Sequence, residues 1–156
     1  MKDTIYHFPQ GIPGFEANRE FRLVEEEDVP LAQLISMEDA EIGFILMRPG
    51  VLFPDYCVEV DEQNVAALKL RLAMEETPDS SVQADSKHLE QTEVWGVVTL
   101  NQQDMTLTTL NLRAPILLNT ELKLGIQLIL SDDRYLTRQP IALDKLLVQE
   151  QEGVAG

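Results

Sequence analysis

Short apolar runs, each broken within a few residues by glycine, proline or a cluster of charges, set the pattern of this chain. Eight glycines and eight prolines lie between the runs, which favours many short strands over long helices. Phe21–Val24, Leu31–Ser36, Gly43–Arg48 and Glu93–Leu100 each predict a strand. The cleanest alternation is Leu122, Leu124, Ile126, Leu128 and Leu130 with Lys123, Gly125 and Gln127 between them, and it predicts a strand over 122–130. Met105 to Leu112 also alternates, but the apolar positions slip from 105 and 107 to 110 and 112. A β-bulge near Thr108-Thr109 is the simplest cause of that slip.

Three segments depart from the strand pattern. Phe8-Pro9-Gln10-Gly11-Ile12-Pro13-Gly14-Phe15 cannot continue a helix or a central strand, so it predicts a turn-rich loop pinned to the core by Ile12 and the two phenylalanines. Residues 57–60 read as a strand leading into Asp61, which suits a helix N-cap, with Glu62 favourable in the first turn. Val65, Leu68 and Leu72 share one helical face, although Leu68, Leu70, Leu72 and Met74 also alternate as a strand would. A helix near 61–69 is the preferred reading. Residues 75–91 form a polar loop longer than usual. A single domain over 1–148 and a flexible tail over 149–156 follow from the length and the end composition. The fold class is all-β: a compact roll or barrel-like antiparallel domain of about eight to ten short strands with one short helix.

Composition narrows the function. The first 103 residues carry 20 acids and 7 bases, residues 104–156 carry 7 and 5, and the whole chain is −15. Direct nucleic-acid binding is not expected, because phosphate contacts need clustered lysine and arginine. A basic protein partner is compatible with that charge, as is plain solubility. No apolar run suits a membrane span and Met1–His7 has no apolar signal region, so neither a membrane nor a secretory signal is expected. The lone Cys57 fits a reducing compartment, and cytoplasmic localisation is expected.

Reactive chemistry is sparse. Cys57 with His7 or His88 lacks a local nucleophile signature and reads better as a small buried residue. Glu25–Asp28 and Asp132-Asp133 lack the spacing of a calcium loop. No metal site, no cofactor and no catalytic residue is assigned. Structural readings cover the remaining motifs: Pro115 and Pro140 end strands, Asp55 bonds locally after Pro54, and Arg113 or Arg138 pairs with an acid such as Asp55.

Four blocks then carry a resemblance. Phe8 to Phe15 (with Phe8, Pro9, Gly11, Pro13, Gly14 and Phe15 as its structural motif residues), Pro49 to Tyr56, Asn111-Leu112-Arg113-Ala114-Pro115-Ile116 with Asn119, and Gly125–Leu130 followed by Tyr135-x-Thr137-Arg138-x-Pro140 resemble the FliW family of flagellar assembly factors. The blocks run in order across about residues 6–142. The chain departs from the family in having seven residues before Phe8, where a full strand is usual, and in the length of its 75–91 loop. The resemblance implies a compact β-roll or barrel that binds two partners in the cytoplasm: flagellin and the RNA-binding translational regulator CsrA. Flagellin export would free the factor to capture CsrA and relieve repression of flagellin translation. A monomer is favoured. Phe53, Pro54, Asp55, Tyr56, Glu59, Asp61 and Glu62 are the candidate partner-binding residues, with Phe53, Pro54 and Tyr56 facing apolar helices of flagellin. A small-ligand-binding β-barrel is the alternative.

Overall fold

The computed structural model describes residues 2–68, 81–83, 92–101 and 103–142. Ten strands and one helix follow in chain order: β1 Lys2–His7, β2 Glu20–Glu25, β3 Leu31–Ser36, β4 Gly43–Met47, β5 Glu59–Asp61, α1 Glu62–Ala67, β6 Ser81–Gln83, β7 Thr92–Thr99, β8 Thr109–Asn119, β9 Leu124–Gln127 and β10 Gln139–Pro140. The main sheet has the order β10-β8-β7-β4-β3-β2-β1-β9, and β9 also pairs with β8. Seven strands therefore close a barrel, with β10 added at the outer edge of β8 and β5–β6 forming a separate ribbon. Pairing is antiparallel throughout except at the seam, where His7 of β1 meets Leu124 of β9 in parallel.

Alternation decides which side chains face inward. Tyr6, Phe21, Leu23, Leu34, Leu46, Trp95, Ile116 and Leu118 fill the barrel interior and join Phe8 and Ile12 from the loop after β1. Burying each large apolar side chain stabilises the fold by about 1.5–3 kcal/mol. The loop uses its glycines for close approach. Gly11 has φ +68, and a Cβ there would lie 2.7 Å from the Glu16 backbone. Phe8 N–H donates to Arg19 O (2.7 Å), and the Arg19 guanidinium returns to Pro9 O (2.8 Å) and Glu16 O (3.2 Å). Phe15 stays 38% exposed and packs its edge against Phe44, so it pins the loop at the rim and not in the core.

Two apolar clusters lie outside the barrel wall. Val58, Val60 and Leu68 cover Leu117, Ile126 and Leu128. Leu52, Phe53, Tyr56, Tyr135 and Ile141 cover Met47, Val98, Leu110 and Leu112. The wall formed by β4, β7, β8 and β9 is thus buried on both faces, which explains continuous apolar runs such as Ile116-Leu117-Leu118.

Several expectations are corrected. The seven residues before Phe8 suffice for a full strand, β1. The slip over 105–112 comes from a 3-10 turn at Met105–Leu107 that precedes β8, not from a bulge at Thr108-Thr109. The irregularity lies opposite Gly96, where Trp95 pairs with Ile116 but Val97 pairs with Asn111. The strand expected over 122–130 is regular only at 124–127, because Asn119–Lys123 forms the hairpin turn, with Lys123 at φ 59. Within the polar 75–91 segment, Ser81–Gln83 is a strand that pairs with Glu59–Asp61. The remainder of that segment and the expected tail at 149–156 lie outside the described residues. The helix over 62–67 and the strands at 31–36 and 43–47 match their predicted positions. No helix among the described residues is long and apolar enough to cross a membrane.

Candidate functional site

The irregular centre of β8 organises the surface where the sequence placed its partner-binding residues. Leu112–Pro115 stand opposite Gly96 without ladder partners on β7, so their backbone groups are satisfied from elsewhere. Asn111 Oδ1 accepts from the N–H groups of Arg113 (3.0 Å) and Ala114 (2.9 Å). Gln127 Nε2 donates to Ala114 O (2.9 Å). Leu112 N–H donates to Leu136 O (3.0 Å), and the Tyr56 hydroxyl donates to Leu112 O (2.5 Å). Pro115 has no N–H to satisfy and sits within β8, so it does not end a strand as expected. Its carbonyl accepts from Leu128 N–H (2.9 Å). Asn119 holds the following hairpin, accepting at Oδ1 from Glu121 and Leu122 N–H and donating to Leu68 O (2.8 Å).

On this frame Tyr56 and Tyr135 meet edge to face, with ring centroids 4.7 Å apart. The Tyr135 hydroxyl accepts from Cys57 N–H (3.3 Å), which ties the 53–57 segment to the 132–136 turn. Burial, and then the neighbouring Tyr135, push the Tyr56 phenol well above its ordinary value, so it stays a donor. Leu52, Phe53, Pro54, Asp55, Tyr56, Leu112, Arg134, Tyr135 and Gln139 line an open hollow of about 400 Å³. Phe53 and Tyr56 are half-buried in its base, while Pro54 and Asp55 are exposed on the rim. Glu59 lies apart, in a second hollow of about 500 Å³ on the other side of Arg134 and Tyr135. Asp61 ends β5 and Glu62 opens α1.

The ion pairs also differ from expectation. Arg113 reaches Asp133 (3.2 Å) and not Asp55. Arg134 chelates Asp132 with Nε and Nη2, and this hydrogen bonding holds the Asp132 carboxyl below its usual range. Arg134 was not singled out by the sequence, although its position beside Tyr135 in the closing motif was the available signal. Arg138 is exposed ahead of β10, and Pro140 ends that strand as expected. His7 bonds Glu20 at the barrel seam, and His88 lies outside the described residues. Among the described residues no three His, Cys, Asp or Glu side chains converge as a metal site requires. The arrangement offers an apolar base, a polar rim and paired charges, which suits recognition of a protein surface.

The family described as FliW protein matches residues 1–141. A flagellar assembly factor FliW of Caldanaerobacter subterraneus subsp. tengcongensis is 38% identical over 142 residues, covering 90% of this chain and 83% of the relative. Another, from Symbiobacterium thermophilum, is 33% identical over 156 residues, covering 97% of this chain and 99% of the relative. A crystal structure of the flagellar assembly factor FliW superposes with a TM-score of 0.72 at 28% identity, covering 87% of this chain and 84% of that one. On this match, from the first strand through Ile141, the chain belongs to the FliW family of flagellar assembly factors.

Proposed function

We propose that this protein is a cytoplasmic, monomeric factor that binds flagellin and a CsrA-type RNA-binding regulator in turn, relieving repression of flagellin translation by partner switching. The family match over residues 1–141 carries the reading. The hollow at Phe53–Tyr56 supports it, because an apolar base with exposed rim residues suits the apolar face of an amphipathic helix. The net charge of −15 supports the second partner, since an RNA-binding regulator presents a basic surface. The factor is a binding protein and not an enzyme.

The test is to mix the purified chain with flagellin and with CsrA, singly and together, and to follow complexes by size-exclusion chromatography. Partner switching predicts a complex with each and displacement of CsrA by flagellin. Binding to flagellin alone would reduce the protein to an adaptor. The electrostatic part is tested by salt. Affinity for CsrA should fall steeply between low salt and about 0.5 M, where screening is effective within roughly 4 Å. Salt-independent affinity would remove charge from the explanation.

A further inference from the structure

Where β9 leaves the seam, one edge of its chain loses its neighbour. Leu128 N–H and Leu130 N–H donate to Pro115 O and Arg113 O of β8, so the even-numbered residues point their backbone groups toward the wall. Alternation then turns the backbone N–H and C=O of Gln127 and Ile129 the other way. On that side β1 has already ended at His7, and Pro9 has no N–H with which to extend the pairing. Gln127 lies opposite Ile116 at a ladder position whose backbone groups face away from β8, and beyond the ladder no backbone bond joins Ile129 to another described residue. The Ile129 side chain is 74% exposed. The open hollow of about 500 Å³ runs beside this edge, lined by residues 126–132 together with Gln10, Glu59 and Arg134.

We propose that this edge is a second docking surface, which takes an extended, basic segment of a partner protein as an added β-strand along Gln127–Ile129. Two N–H and two C=O groups spaced roughly 6.8 Å apart are what a strand would pair with. Charge selects the occupant. Arg134 is neutralised by Asp132 within the hollow, which leaves Glu59 as the excess charge among its described lining residues, on a chain of net −15. A second copy of the chain would bring the same negative charge to the edge, so self-pairing is disfavoured. The surface adjoins the Phe53–Tyr56 hollow across Arg134 and Tyr135, which line both, while Gln127 and Ile129 lie outside that hollow's lining.

Amide hydrogen exchange of the full chain, read by NMR with a synthetic octapeptide of alternating lysine and valine, tests the proposal. Exchange should slow at least tenfold at Gln127 and Ile129 and stay unchanged at Leu128 and Leu130. Ile129→Pro deletes the donor without touching a bond to β8, and should weaken peptide binding at least tenfold. Ile129→Thr keeps the donor and should bind within about threefold. If the proline variant fails to fold, the same peptide N-methylated on alternate amides keeps the charge and removes one set of donors, and it should lose binding equally. Absent protection at Gln127 and Ile129 at millimolar peptide overturns the proposal. So does equal binding by the N-methylated peptide or by an alternating glutamate–valine peptide. Protection that grows with protein concentration without peptide would assign the edge to self-pairing and overturn it too.

Discussion

Replacing Tyr56 with phenylalanine removes one oxygen and leaves the ring where it is. The loss falls on Leu112 O, which stands in the unpaired stretch of β8 and receives the Tyr56 hydroxyl at 2.5 Å. Leu112 is 4% exposed, so water cannot readily take over the missing donor. A buried carbonyl left without its partner costs about 1–3 kcal/mol. Tyr56→Ala also removes the edge contact with Tyr135 and opens the outer apolar cluster, which costs about 3–5 kcal/mol. Urea unfolding followed by the fluorescence of Trp95, the single tryptophan and 2% exposed, measures both. With a urea slope of about 1–3 kcal/mol per molar, Tyr56→Phe should lower the midpoint by roughly 1 M. A midpoint unchanged within error would refute the structural role of the hydroxyl. Flagellin binding provides the second axis, because the ring still lines the hollow in the phenylalanine variant and affinity should be kept. Lost affinity with an unchanged midpoint would move the hydroxyl from β8 to the partner.

Three further perturbations test the barrel. Gly125→Ala would set a Cβ 2.5–2.8 Å from the Phe8 ring, so it should destabilise by about 1–3 kcal/mol, and adding Phe8→Leu should recover part of that loss in the same urea assay. Lys123 holds φ 59 in the β8–β9 turn, so Lys123→Gly should raise the urea midpoint by up to about 1 kcal/mol in stability, and a clear fall would contradict the strain argument. Burial, then the carboxylates of Glu93 and Glu25 against the opposing Arg48, push the Tyr6 phenol up to about 12. The neutral phenol is the folded form, so its contribution is complete below pH ~10 and is lost as pH rises toward 12, where the unfolded chain ionises first. The urea midpoint should therefore fall between pH 9.5 and 11.5, and a flat profile would refute the assignment.

Alternation made most of the barrel legible, because a strand with one wet face prints its period on the sequence. Leu31–Ser36 shows its bounds to within a residue for that reason, whereas Gly43–Met47, covered on both faces, shows as a continuous apolar run between Gly43 and Arg48. Period misleads where tertiary context overrides it. Leu122 belongs to the same alternation as Leu124 and Ile126, yet it is 51% exposed in a turn set by Asn119. The 105–112 slip was visible, but a 3-10 turn and a bulge produce the same offset, and only pairing against β7 distinguishes them. The candidate site was half legible. The Phe53–Tyr56 block was found as a motif, but its dependence on Tyr135, 79 positions along the chain, was not, because nothing local encodes a contact at that separation.

The first family block has a consequence beyond its own loop. Phe8 enters the barrel and Gly125 gives its ring room, which fixes β9 against the end of β1. The next residue, Pro9, then stops the ladder, since two residues on from the His7 N–H to Lys123 O bond it has no N–H to donate to Gly125 O. A residue with an N–H at position 9 would allow the seam to extend and would cover the edge proposed as a docking surface. Pro9→Ala is therefore expected to slow amide exchange at Gln127 in the free protein while weakening the lysine–valine peptide. Slow exchange with full peptide binding would separate the edge from the peptide site. Unchanged exchange at Gln127 would show that the turn at Gly11, with its φ of +68, ends the strand without help from the proline.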